Sequence, residues 1–233
     1  MNFVLPMFPR TPHVPRQNLV ISPGDDDIVA NDLSPLSHDN VVVEEKLDGA
    51  NCGIALGDDG HPIVRNRTNV LQKGYVKKNT PSKVQFRSVW NWFYDNKGKF
   101  EKLNNAFGGP VGVYGEWMLA LHGIVYDKLP AFFVPYDVYD PTTNQFINPI
   151  VRREVLSEAG FFNVPLLRRG PVTLESLIKL TQQQSQFGPD LVEGVYIKVW
   201  DNKGVTNRFK MIRDGYAQGC KWSDEKITKQ KLV

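Results

Sequence analysis

Val41-Val42-Val43-Glu44-Glu45-Lys46-Leu47-Asp48-Gly49-Ala50-Asn51 is the stretch on which the reading of this chain turns. Three β-branched residues favour a strand, because such side chains are stiff at χ1 and pack well on a pleated surface. The run ends at Lys46, and Asp48-Gly49 supplies a turn just beyond it. That arrangement can hold an amine at the end of a rigid strand, facing a pocket. A lysine amine attacks an electrophile only when neutral, and its ordinary pKa is about 10.4, so nearby cations or burial must depress it. Lys198, Arg208 and Lys210 are the candidate cations. The bland alternative is a solvated strand-end lysine, and Lys-x-Asp-Gly alone is too short to decide.

Outward from that strand, residues 22–40 are rich in Ser, Pro, Asp and Asn and read as a loop. Residues 51–57 are expected to pair with 41–46, and Gly57-Asp58-Asp59-Gly60 closes a hairpin to 61–67. Phe86, Val89, Trp90 and Phe93 fall at helical spacing over 83–94 and predict a core-facing stripe. Residues 111–118 and 132–139 read as buried strands, and 150–159 as a helix ended by Gly160. Thr173 caps a helix expected to run to about residue 184. Residues 192–200 and 205–213 form two strands joined by Asp201-Asn202-Lys203-Gly204. Strands and helices mix without regular alternation, so the fold class is α+β, with mainly antiparallel sheets flanked by helices.

The 233 residues suffice for one sizeable core, and no linker divides them. Residues 1–233 are therefore expected to form one domain. Its N-terminal segment, 1–40, carries Pro6, Pro9, Pro12 and Pro15 and is expected to lie extended across the surface. Those prolines interrupt any signal-peptide core, and no apolar run of about 18 residues is present. A membrane span is not expected. Cys52 and Cys220 are too few for a disulfide framework, which fits a reduced, cytoplasmic protein. A net charge of +3 permits nucleic acid without demanding it.

Several further residues carry chemistry. Arg65 and Arg67 alternate onto one strand face, where an arginine could reach a ribose hydroxyl or a phosphate. Glu116 lies in the apolar run 111–119, and a carboxylate there needs a partner or a function. The strand at 132–139 brings aromatic rings, one of which could stack on a purine. Alternation places Glu193 with Val195 and Ile197, opposite Tyr196 and Lys198, unless Gly194 introduces a bulge. Whether Glu193 and Lys198 face the same way stays open. Arg208 and Lys210 set two cations on one face, and side-by-side cations call for a polyanion between them.

In order, from about Val41 to Arg213, these segments resemble the RNA ligase branch of the covalent nucleotidyltransferases. The resemblance implies an ATP-grasp-like nucleotidyltransferase domain that uses ATP and Mg2+, with Mn2+ as a substitute, to join RNA ends. Lys46 would be the adenylated nucleophile, and Glu45, Asp48 and Gly49 would border the nucleotide. Arg67 would contact ribose or phosphate, and Glu116 the ribose. Tyr136 would stack on adenine, in preference to Phe133. Glu193 would help bind the metal, Lys198 would contact the α-phosphate, and Arg208 and Lys210 the other phosphates. The family often has lysine where this chain has Arg208, which keeps the charge but replaces a point cation by a planar fork. Only about twenty residues follow, a short basic tail (214–233) with Lys226, Lys229 and Lys231. No oligonucleotide-binding barrel is expected there, which argues against the alternatives of a capping guanylyltransferase or a DNA ligase. A non-catalytic RNA-binding module is the remaining alternative.

Overall fold

The computed structural model describes residues 3–15, 28–73, 84–216 and 227–233. Among them are ten strands in two antiparallel sheets. The four-stranded sheet has the order β10 (Val205–Ile212), β9 (Gly194–Trp200), β1 (Val41–Lys46) and β8 (Leu166–Arg169). The six-stranded sheet has the order β4 (Val70–Leu71), β3 (Pro62–Arg65), β2 (Ala50–Leu56), β5 (Gly112–Trp117), β6 (Phe133–Asp140) and β7 (Gln145–Phe146). Four α-helices are described: α1 (Val89–Asp95), α2 (Lys97–Phe107), α3 (Pro149–Ala159) and α4 (Leu174–Thr181). The expected α+β class with flanked antiparallel sheets is the observed one. No described helix is long and apolar enough to cross a membrane.

Strand alternation gives each sheet an apolar face and a face for the site. In the four-stranded sheet, Val41, Val43, Val195, Ile197, Val199, Phe209 and Met211 pack with Leu177 and Leu180 of α4. In the six-stranded sheet, Cys52, Ile54, Val113, Trp117, Phe133 and Val138 pack on Val89, Phe93, Phe100, Leu103 and Leu156 of α1, α2 and α3. Burying each such side chain is worth about 1.5–3 kcal/mol. The two remaining faces look at each other across a cleft. Glu44, Lys46, Tyr196, Lys198, Arg208 and Lys210 come from one sheet; Asn51, Glu116 and Tyr136 come from the other.

Several local expectations hold. Gly57–Gly60 closes the β2–β3 hairpin, with Gly60 at φ 76°. The Asn148 side chain caps α3 and Gly160 ends it at φ 92°. Thr173 and Ser176 cap α4 reciprocally, but that helix stops at Thr181. Phe86, Val89, Trp90 and Phe93 are all core residues, while the regular helix begins only at Val89. The helix α2, over 97–107, has no counterpart in the sequence reading, because polar residues dilute its apolar stripe to Phe100 and Leu103.

The pairing expected for 51–57 is overturned. β1 pairs with β8 and β9, whereas β2 pairs with β3 and β5 in the other sheet. The chain crosses between sheets at Asp48-Gly49, and the packing there explains why. Asp48 Oδ2 accepts hydrogen bonds from the amides of Gly123 (2.6 Å) and Ile124 (3.0 Å) and from the Tyr216 hydroxyl (2.6 Å). A Cβ on Gly49 would come within 2.6 Å of Met118 Sδ and 3.1 Å of the Trp117 carbonyl oxygen.

The described end of the chain, residues 227–233, packs along residues 119–129. Leu121 N donates to Thr228 O, Gln230 N donates to Leu119 O, and the Gln230 side chain bonds the backbone of Tyr126 and Ile124. Lys229 and Lys231 are exposed along this segment. Cys52 is buried and carries no disulfide. Cys220, Lys226, residues 22–27 of the expected loop and residue 83 lie outside the described residues.

Candidate active site

β1 delivers Lys46 to the cleft opposite Gly194, at the start of β9. Glu193 sits one residue before that strand, so alternation does not bind it. Its carboxylate accepts hydrogen bonds from Lys46 Nζ at 2.7 Å on each oxygen. Gly194 is required by close approach, since a Cβ there would meet the Met211 carbonyl oxygen at 2.1 Å. This geometry settles the open question about that segment. Tyr196 and Lys198 share the face of Lys46, and Glu193 reaches the same place from the strand's entrance.

The electrostatics around Lys46 reverse the expectation of a cationic cradle. Burial pushes its pKa down, but Glu193, Glu116 and Asp48 outweigh burial and hold it above the ordinary lysine value. Lys46 is thus an ammonium among carboxylates. The carboxylates are crowded in turn. Burial, with Glu193 and Asp48 nearby, pushes Glu116 up to about 8 against the pull of Lys46 and Arg67. Burial and Asp48 push Glu193 up to about 7 against Lys46 and Lys210. Glu116 Oε2 is buried without a hydrogen-bond partner.

The three expected cations are placed differently from one another. Lys210 lines the cleft beside Lys46, Glu116 and Arg67. Lys198 is fully buried beneath it, with Nζ 3.0 Å from Glu44 Oε2 and 2.9 Å from Asp137 Oδ1, and it also donates to the Tyr136 carbonyl. Arg208 bonds Asp137 Oδ2 at 3.3–3.4 Å and lies over the rings of Phe146 (4.3 Å) and Phe8 (5.4 Å). Neither Lys198 nor Arg208 borders the cleft. Both belong to a buried ion network that also takes in Arg152, which pairs with Glu44. Burial would raise Glu44, yet Arg152 and Lys198 hold it below the usual carboxylate range.

The other expected residues divide in the same way. Tyr136 borders the cleft and its hydroxyl accepts from Asn51. It lies near-parallel to Tyr196, at 6.2 Å and 24°, whereas Phe133 is core against Trp92. Arg67 lies just past the end of β3 and lines the cleft, but Arg65 turns inward to the Leu5 carbonyl. The shared face predicted for that pair fails because β3 ends at Arg65. Glu45 borders the cleft only at its rim. Its carboxylate points to the apolar side of β1 and accepts from Ser185 Oγ at 2.6 Å. Burial outweighs that bond and raises it to about 6. Asp48 and Gly49 make the crossing between sheets, and Asp48 Oδ2 is held by Gly123, Ile124 and Tyr216.

Among the cleft residues given no site role in the sequence reading are Phe8, Arg10, Thr11 and Tyr196. Tyr196 was accessible in principle, since it alternates with Lys198 and pairs with Lys210. The first three come from the N-terminal segment, and no local pattern announces where an extended, proline-rich chain will lie.

Chemically, the cleft combines an amine, an acid with an unpartnered buried oxygen, three further cations (Lys210, Arg67 and Arg10) and flat aromatic rings. The RNA ligase family profile matches residues 39–212, from just before β1 to the end of β10. The chain belongs to the RNA ligase family. Its fold also matches solved structures of Naegleria gruberi RNA ligase. A lysine-to-alanine variant with ATP and Mn has a TM-score of 0.59 and 21% identity, covering 77% of this chain and 52% of that one. The same ligase with PPi gives 0.58 and 21%, covering 77% and 51%. A lysine-to-methionine variant with AMP and Mn gives 0.58 and 21%, covering 78% and 52%. This RNA ligase family member thus spans about half the length of the solved structures it matches. No curated protein matches its sequence.

Proposed function

We propose that the chain is the nucleotide-transferring part of an ATP-dependent RNA ligase. Neutral Lys46 attacks the α-phosphate of ATP, and pyrophosphate leaves. AMP then passes from the lysine to an RNA 5′-phosphate. A 3′-hydroxyl attacks that activated end, and AMP is released as the strands join. The observation that carries this reading is the ammonium of Lys46, held by Glu193 inside a cleft shared by Glu116, Lys210 and Arg67.

Each side chain has work to do in that sequence. Lys46 must lose a proton before it attacks, and Glu193, already bonded to it and raised to about 7, is placed to take one. Lys210 and Arg67 oppose the charge of the phosphates. Tyr136 and Tyr196 offer ring faces to a base.

A divalent cation fits the acidic side of the cleft. The unpartnered Glu116 oxygen and the Glu193 carboxylate are hard oxygen donors. Among the described residues, no group of three or more His, Cys, Asp or Glu is arranged to hold a metal without help. Mg2+ suits such a site, because it is usually bound through one or two carboxylates together with substrate phosphates and waters. When bound, it would neutralise phosphate charge and favour the neutral form of Lys46.

The test is incubation with α-labelled ATP and Mg2+, followed by a denaturing gel. A labelled band that disappears in Lys46→Ala is expected. An unlabelled wild-type protein that still binds RNA would instead support a non-catalytic module. Labelling with GTP in place of ATP would point to a capping enzyme, and sealing of nicked DNA rather than nicked RNA to a DNA ligase.

A further inference from the structure

We propose that the N-terminal arm is a working wall of the nucleotide site, in which Arg10 contacts the triphosphate and Thr11 positions Tyr196. The arm precedes the family-matched span of 39–212, so nothing in that match assigns it a place. Yet it crosses from one sheet to the other over the cleft. At one end, Leu5 is buried against Tyr114, the Leu5 carbonyl accepts from Arg65 at 2.8 Å, and Phe8 packs on Tyr136 with ring centroids 5.2 Å apart. At the other end, the arm runs beside β10. Lys210 N donates to Pro12 O and Val14 N donates to Lys210 O, each at 2.9 Å. Residues 9–11 are the span between these anchors, and all three line the cleft.

The anchoring at Lys210 gives Arg10 its place. Pro12 is bonded to the backbone of a residue whose side chain enters the cleft, and Arg10 lies two residues earlier on the same short span. Thr11, between them, shares a hydrogen bond of 2.5 Å with the Tyr196 hydroxyl, and Tyr196 is the cross-strand partner of Lys210. A guanidinium there adds a planar, permanently charged donor to the cations of Lys210 and Arg67, which suits a polyphosphate better than a base. The hydroxyl of Thr11 fixes the tilt of a ring that lies near-parallel to Tyr136. The prolines at 6, 9 and 12 stiffen the span, which limits the ordering cost of holding these groups in place.

This inference rests on the nucleotide reading of the cleft, so the experiment measures binding separately from catalysis. Equilibrium affinities for Mg-ATP and for AMP are measured on the full chain and on Arg10→Ala, Arg10→Lys, Thr11→Val and Thr11→Ser. The exposed Val4→Ser, on the same arm, serves as a control. Lysyl-AMP formation is followed in parallel. Arg10→Ala should weaken Mg-ATP binding about tenfold, in keeping with loss of a charge-assisted hydrogen bond, and AMP binding less than about twofold. Arg10→Lys should recover part of the loss. Thr11→Val should raise the KM for ATP about threefold with little change in kcat, and Thr11→Ser should restore it. Unchanged Mg-ATP affinity in Arg10→Ala, or equal losses for ATP and AMP, overturns the Arg10 assignment. A Thr11→Val enzyme with wild-type KM overturns the Thr11 assignment. Absence of adduct in the wild-type chain, with the affinity pattern intact, would instead sink the ligase chemistry and leave the arm's place in the site standing.

Discussion

Two groups of buried charge lie close together in this protein, and they are built on opposite rules. In one, Glu44 and Asp137 face Arg152, Lys198 and Arg208, with Arg153 at the edge. Cations outnumber acids there, and Glu44 stays below its ordinary pKa. In the other, Lys46 faces Glu193, Glu116 and Asp48, Arg67 and Lys210 add a weaker pull, and both Glu193 and Glu116 are still raised. The first group ties the two sheets together, since Glu44 is on β1 and Asp137 on β6. The second is left unbalanced because burial outweighs its cations and raises both glutamates. Buried acids that neighbouring cations hold ionised tie a structure together; buried acids that burial keeps raised call for something from outside, here protons or a cation brought with a nucleotide.

Glu44→Ala should be the most damaging break in this contrast. It leaves Arg152 and Lys198 facing each other without their shared acid, at a cost of about 3–5 kcal/mol of stability. Urea unfolding measures it; a loss under about 1 kcal/mol would mean the network carries little of the sheet-to-sheet packing.

Glu116→Gln should act in the opposite direction. Glu116 sits at about 8 in the folded protein against an ordinary 4.5. The folded chain therefore keeps a proton that the unfolded chain releases between about pH 4.5 and 8, and its stability falls as pH rises through that window. Glutamine cannot ionise, so the variant should gain about 1–2 kcal/mol at about pH 8.5, or roughly 2–8 °C in Tm, and almost nothing near pH 4.5. Adduct formation should fall sharply in the same variant. A pH-independent difference in melting would remove Glu116 from the unbalanced group.

Glu45→Gln gives the smallest expected change and sharpens the boundary between the two groups. Its carboxylate bonds Ser185 on the far side of β1. Affinity for ATP should stay within about twofold, and stability at neutral pH should change by less than about 1 kcal/mol, because the weakened hydrogen bond is offset by loss of a carboxylate that burial disfavours. A tenfold loss of ATP affinity would put that side chain back in the site.

Much of the local structure was legible from residues 41–51 and from the turn and cap signals. The β2–β3 and β9–β10 hairpins rest on Gly57–Gly60 and Asp201–Gly204, where neighbouring residues alone determine the turn. Lys46, Glu116, Tyr136, Glu193, Arg67 and Lys210 were picked out by type and order, and the fold gathers them in or beside one cleft. Lys198 and Arg208 are drawn into the buried network while Lys210 lines the cleft. Lys198 and Arg208 sit on the same sheet face as Lys210, so alternation cannot separate them. What separates them is Asp137, which arrives from the other sheet.

Sequence alone determined the strand that carries Lys46, the helix ends at Gly160 and Thr173 and the hairpins. These depend on backbone sterics and on spacings of two to four residues, which any short window contains. Tertiary structure alone decided that β2 leaves β1 for a second sheet, that an extended arm closes the cleft, and which cations are spent inside. Those outcomes depend on groups brought together from distant parts of the chain, where the energy of a buried charge is set by its neighbours in space.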